Sequence, residues 1–214
     1  MPLVSPKTET ELETTLIIKK DFRTTAYEKA NIFSRSFFDS IQVVIVSLAV
    51  VVIIITFFAK PTVVSGSSME PNLKTDDVII TEKLSEDFGS LKRGDIIAFH
   101  ATTDKDFVKR IIGLPKDKLK IQNGKVYING TILNEDYLSA ENKDVIAGPI
   151  IKEGEEVIVP DNKFIALGDN RAVSYDSRYI GFVDKSQIIG RALVRIFPIS
   201  KFEYFNSVKY NIPS

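Results

Sequence analysis

The amino-acid sequence predicts a mainly β fold: an antiparallel β-sheet domain with a small inserted β subdomain, preceded by one N-terminal transmembrane helix. Three features predict it. A charge-free apolar run extends from Ile41 to Ala59; from Pro61 onward short Val- and Ile-rich runs alternate with turn residues; and Asn123-Gly124 and Asn129-Gly130 mark tight hairpins.

Residues 1–36 mix Thr, Glu and Lys with short apolar stretches such as Leu16-Ile17-Ile18, the pattern of a poorly ordered tail with one short helix. The apolar run that follows would span roughly 28 Å as a helix, close to the hydrocarbon thickness of a bilayer. A buried strand is the alternative, but strands stop at about ten residues and this run does not. A cleaved leader is disfavoured by the long, acid-containing tail and by Phe57-Phe58-Ala59-Lys60-Pro61, which lacks a small-x-small site. The segment 37–60 is therefore read as an uncleaved anchor. Arg23, Lys29 and Arg35 before it and Lys60 and Lys74 after it leave its orientation open.

Beyond the anchor, strands are predicted at Asp77–Ile80, Asp95–Phe99, Phe107–Ile112, Lys125–Ile128, Glu156–Val159 and Phe164–Leu167. Residues 61–119 and 161–214 form the two parts of a core, and 120–160, richer in Asn, Gly and Lys, form a β excursion from it.

Composition narrows the chemistry. At 214 residues there is room for one membrane segment and one ordinary domain. Lys+Arg and Asp+Glu both number 28, so no charge excess directs the chain to nucleic acid. With no cysteine, disulfides, thiol nucleophiles and thiolate metal sites are excluded. The single histidine, His100 at a strand end, excludes a His-rich metal site and is the sole candidate for a Ser-His-Asp triad. Asp-Thr-Gly and Asp-Ser-Gly loops are both missing. What is left is a hydroxyl nucleophile with an amine base, needing neither metal nor cofactor.

The nucleophile candidate is Ser68, in Val63-Val64-Ser65-Gly66-Ser67-Ser68-Met69-Glu70-Pro71, where Gly66 permits close backbone approach and Pro71 stiffens the exit. A flexible linker is the bland alternative. The base candidate is Lys109. On a strand, Phe107, Lys109 and Ile111 share one face and Val108, Arg110 and Ile112 the other. Apolar neighbours disfavour an ammonium and lower its pKa toward the working pH, which Arg110 cannot match. A snorkelling edge lysine is the alternative here. A third cluster, Gly168 to Phe182, alternates Asp and Arg among turn residues and can fix a loop through charge-assisted hydrogen bonds.

Together these segments resemble bacterial type I signal peptidases: Ser-Met-x-Pro at 68–71, Arg-Gly-Asp at 93–95, Lys-Arg-x-x-Gly-Leu-Pro at 109–115, and Gly-Asp-Asn-Arg with Ser-x-Asp-Ser-Arg between 168 and 178. The resemblance implies Ser68 as nucleophile, Lys109 as general base, and Ser174 as the hydroxyl that orients the amine. Asp169, Arg110, Asp176 and Arg178 are implied to hold the site together. It further implies removal of signal peptides from exported preproteins with small residues at the first and third positions before the cut. Gly66, Met69, Leu73, Phe107 and Val108 would contact that peptide, laid beside Val63–Gly66. The tail would be cytoplasmic, the anchor in membrane lipid, and the catalytic domain outside. The departures are Gly66, where some members carry a serine hydroxyl for the oxyanion, and Ala172-Val173 in place of Asp-Asn. A self-cleaving LexA-like Ser/Lys peptidase and an inactive anchored β domain that binds exported peptides are the competing readings.

Overall fold

A computed structural model describes residues 37–53, 59–82, 91–206 and 208–212. Residues 37–53 are helical (α1), with Phe37, Phe38, Val44, Ile45, Leu48 and Ile53 among its exposed apolar side chains. Among the described residues no helix is long and apolar enough to cross a membrane. The tail over 1–36 and residues 54–58, the last part of the expected span, lie outside the described residues. Ala59 and Lys60, which hydropathy assigns to the anchor, instead open the first strand. Residues from Ile55 onward cluster as one unit, separate from that containing α1.

The expectation of a mainly antiparallel β fold is met by twelve strands among the described residues: β1 (Ala59–Val63), β2 (Val78–Glu82), β3 (Ile96–Thr102), β4 (Lys105–Gly113), β5 (Lys118–Gln122), β6 (Lys125–Ile128), β7 (Thr131–Ile132), β8 (Glu156–Ile158), β9 (Lys163–Leu167), β10 (Val183–Asp184), β11 (Ile188–Phe197) and β12 (Glu203–Tyr204). The main sheet runs β1-β2-β11-β3-β4-β9-β10, with β12 added to β11. A second sheet, β7-β6-β5-β8, interrupts the chain between β4 and β9. Its two tight turns use the residues that favour positive φ: Asn123 (50°) with Gly124 (72°), and Asn129 (52°) with Gly130 (83°).

The longest strand, β11, is central yet hidden in the sequence because Gly190 and two arginines interrupt its apolar pattern. Gly190 is required by packing, since a Cβ there would lie 2.2 Å from the Glu82 carbonyl oxygen on β2. The register shift between Ile188 and Gly190 marks the same place as a bulge.

The second sheet is not an independent body. One core cluster contains Ile112, Ile165 and Leu167 of the main sheet together with Leu119, Ile121, Val126 and Ile128 of the second. The excursion begins earlier than composition suggests, with Lys118 and Leu119 already paired in β5. The strand alternates strictly, with Leu119 and Ile121 buried and the flanking Lys118, Lys120 and Gln122 less so, but it is short and opens on the Lys-rich stretch after Pro115.

Gly94, within Arg93-Gly94-Asp95, holds φ at +92°, and a Cβ there would lie 2.9 Å from Val208 Cβ and 3.0 Å from the Tyr210 ring. Gly94→Ala is expected to cost roughly 1–3 kcal/mol, from strain at that φ and displacement of the C-terminal segment. Chemical denaturation with an unchanged m-value checks it.

Candidate active site

Ser68 is placed by a loop whose two ends are tied together. Val64 N–H donates to the Asp77 carbonyl at 2.8 Å, and Asp76 N–H donates back to Val64 at 2.9 Å. Between them a turn is pinned inward by Met69 and Leu73, both fully buried with Val64, Ile79 and Ile96. Met69 and Leu73, which the sequence reading sets against the substrate, present no exposed surface here and pack behind the serine. Gly66 is exposed with φ +89° and open space around its Cβ position.

Lys109 comes from β4, opposite Ile97. Its strand face is the predicted one, since Phe107 and Ile111 join a cluster with Ile97, Phe99 and Ala166. Val108, on the other face, packs against the cluster behind Ser68. Phe107 and Val108 are both half-buried. The Lys109 amine lies 2.8 Å from Ser68 Oγ and 3.0 Å from the Val108 carbonyl. A charged amine donates to Ser68; a neutral one accepts the Ser68 O–H instead. Lys109 is only 3 % exposed, and burial lowers its pKa to about 8, against the pull of Asp176 and Asp169.

Those two carboxylates are already occupied. Asp169 is gripped by Arg110, Nε to Oδ1 at 2.9 Å and Nη2 to Oδ2 at 2.7 Å, and takes a further bond from Asn72 Nδ2 at 2.8 Å. Asp176 is gripped by Arg178, Nε to Oδ1 at 2.8 Å and Nη2 to Oδ2 at 2.9 Å, and accepts the Gly168 N–H at 3.0 Å. Arg178 also donates to the Ser174 carbonyl. The third buried pair, Arg171 with Glu135, escaped sequence reasoning on the carboxylate side. Arg171 Nε holds the Gly168 carbonyl at 3.0 Å, and the Tyr137 hydroxyl donates to Glu135 at 2.6 Å. The Tyr137 ring lies 4.2 Å from the Arg110 guanidinium carbon. Asn72, Glu135 and Tyr137 carry no local sequence signal, because the Asp169 and Arg171 side chains they meet are 34 to 97 residues away.

Ser174 is buried, but its Oγ has no hydrogen-bond partner among the described residues, so the bond to the lysine amine that the resemblance implies is not formed. The hydroxyl faces Gly168 instead. A Cβ on Gly168 would lie 2.2 Å from Ser174 Oγ and 2.5 Å from the Ser68 carbonyl oxygen, a gap only glycine leaves open. Asn170 N–H reaches that same carbonyl at 3.0 Å, joining the loop after β9 to the serine. His100 is exposed and bonded to Asp106, away from this cluster. Among the described residues no group of His, Cys, Asp and Glu is arranged to hold a metal ion.

A profile of the family described as signal peptidase, peptidase S26, matches residues 37–197. A Synechocystis protein named "Probable signal peptidase I-2" is 41% identical over 153 residues, covering 68% of this chain and 66% of its own length. Signal peptidase IB of Staphylococcus aureus is 36% identical over 174 residues, covering 75% of this chain and 91% of its own length. A solved signal peptidase I from Enterococcus faecalis is 33% identical with a TM-score of 0.41, covering 48% of this chain and 97% of that one.

The depressed lysine pKa fixes a sign. Between about 8 and the ordinary 10.5 the unfolded chain holds a proton that the folded chain has released, so stability rises with pH across that window. Below it, burying the ammonium costs about 3 kcal/mol. Lys109→Met is therefore expected to be the more stable protein at pH 7, by up to about 3 kcal/mol, with the advantage shrinking toward pH 10. Melting curves across that range check it.

Proposed function

The chain belongs to the signal peptidase family, peptidase S26, and from that premise we propose that it is a serine endopeptidase which removes signal peptides from exported preproteins, with Ser68 as nucleophile and Lys109 as general base. The observation that carries this is the 2.8 Å contact between Ser68 Oγ and a buried amine whose neighbouring carboxylates are already paired with arginines.

The neutral Lys109 amine removes the Ser68 proton as Oγ attacks the scissile carbonyl. The resulting ammonium gives that proton to the departing amine, leaving an ester on Ser68. Lys109, neutral again, deprotonates a water that attacks the ester, and the proton returns to Ser68 as the new carboxyl group leaves. The developing oxyanion is met by the Ser68 backbone N–H. With Gly66 supplying no hydroxyl, a backbone N–H or a water completes that pair. Asp169, Arg110, Asp176 and Arg178 position the two reacting side chains through the loop after β9 and touch no reacting atom.

β1 stands at the end of the sheet order, so its outer edge is unpaired by the described strands. An extended peptide can add there beside Val63–Gly66, with Gly66, Phe107 and Val108 as its contacts. Small side chains before the cut suit apolar walls of half-buried Phe107 and Val108 that exclude larger ones by overlap. The apolar helix α1, together with the charge-free sequence that runs on to Ala59, supports membrane anchoring with the tail in the cytoplasm and the peptidase domain outside. Ser68 lies ten residues after Phe58, so at roughly 3.3–3.6 Å per residue the serine stays within about 36 Å of the anchor's end, near a substrate still held in lipid.

In purified membranes, Ser68→Ala and Lys109→Ala are each expected to reduce cleavage of an Ala-x-Ala precursor by at least about a thousandfold. Unchanged processing by either variant would overturn the pairing. Wild-type kcat/KM should fall about tenfold per pH unit below pH 8, as protonation removes the base; a flat acid limb with folded enzyme would exclude Lys109 from that role. Gly168→Ala should lower kcat by about a hundredfold or more, by pushing Ser68 and Ser174 apart, and single-turnover kinetics would register it.

A further inference from the structure

Tyr175 is 58% exposed and Tyr179 39% exposed, yet neither ring is loose. The two rings stack at 5.3 Å between centroids with 24° between planes. Tyr175 meets Phe107 edge to face, centroids 6.5 Å apart and planes at 88°. Tyr179 lies 5.9 Å from the guanidinium carbon of Arg178, which is buried and locked to Asp176. Tyr175 leaves more than half of its surface in water while stacked on the more buried Tyr179; what the pair offers is a preformed flat face whose ordering entropy is already spent. The Ser68 and Lys109 chemistry does not use them.

Their position is set from two directions. Along the side chains, the ladder starts at the reacting amine, with Lys109 Nζ 5.0 Å from the Phe107 centroid and Tyr175 next beyond Phe107. Along the backbone, Tyr175 follows Ser174, which shares with the Ser68 carbonyl the narrow gap above Gly168. The half of the substrate that becomes the acyl group is taken by the open edge at Val63–Gly66. The other half departs as an amine that Lys109 must protonate, so its first residue leaves from beside Lys109 Nζ, 5.0 Å from the Phe107 ring against which Tyr175 packs.

We propose that Tyr175, backed by Tyr179, forms the subsite for the first residues after the scissile bond and selects an apolar or aromatic side chain there over a small polar or acidic one. An aromatic face gains contact area from an apolar side chain and carries a negative quadrupole that disfavours a carboxylate. The subsite rests on the peptidase reading above.

The test uses full-length protein in lipid vesicles and precursors identical through an Ala-x-Ala cut, carrying either Phe or Ser at the first or the second position after it. Wild type is expected to favour Phe by about threefold to tenfold in kcat/KM at one of these positions. Tyr175→Phe should keep that ratio, and Tyr175→Ala should bring it within about twofold of one. Tyr204→Ala, which removes an exposed tyrosine on β12, should keep it. Because the ratio is taken within each variant, it does not depend on the folded fraction. A wild-type ratio near one at both positions, or a ratio that survives Tyr175→Ala, overturns the subsite. Folded wild type that cleaves none of the precursors would overturn the peptidase reading, and the subsite with it.

Discussion

A lysine amine has to remain inside this protein without a carboxylate of its own. A free carboxylate 4 Å from Lys109 would favour the charged form by roughly 4 kcal/mol at an effective dielectric of 20, working directly against the burial that lowers the amine's pKa to about 8. Asp169 and Asp176 both act on the amine electrostatically. Each is matched by an arginine at hydrogen-bond distance, Arg110 and Arg178. The arginines neutralise what would otherwise fix the proton on the lysine, and the rest of the site follows from having to bury them.

Buried ion pairs of this kind add little net stability, because desolvation offsets most of the attraction. Their contribution here is position. Arg110 ties β4 to the loop after β9, Arg178 ties that loop to its own continuation through α2 (Ser177–Ile180), and Arg171 ties it to the segment that follows β7. Gly168, at the centre, has its N–H held by Asp176 and its carbonyl by Arg171. Its missing side chain is the space in which the Ser68 backbone and Ser174 meet.

Elements with a clean local pattern were legible in the sequence. β4 showed its two faces through alternation, and β6 and β9 showed themselves as short apolar runs between turns. β11 did not, because the glycine and arginines that break its pattern answer to Glu82, Asp77 and Glu203, more than a hundred residues away in two of these cases. The site divides in the same way. Ser68 and Lys109 were readable from residue type and elimination, and the family resemblance supplied the Asp and Arg partners. Glu135 and Tyr137 were not readable, since a carboxylate in an Asn-Glu-Asp-Tyr stretch looks solvated until Arg171 is seen against it. Met69 and Leu73 were ambiguous because an apolar residue beside such a serine serves equally well as pocket wall or as packing, and residue type carries no sign of their burial.

The bond between Arg171 and Glu135 changes how the second sheet can be handled by an engineer. Gly113 at the end of β4 pairs directly with Ile165 on β9, so a tight turn there could splice the strand connection, though it would strip Ile112, Ile165 and Leu167 of their packing partners. Such a truncation would delete the residue that neutralises Arg171 and expose a guanidinium built for a dry interior. The tip at Gly130, where a Cβ would meet nothing, is the opposite case: open space around an exposed turn, where a tag or reporter domain can be grafted without reaching the loop that holds Ser68 and Lys109 together.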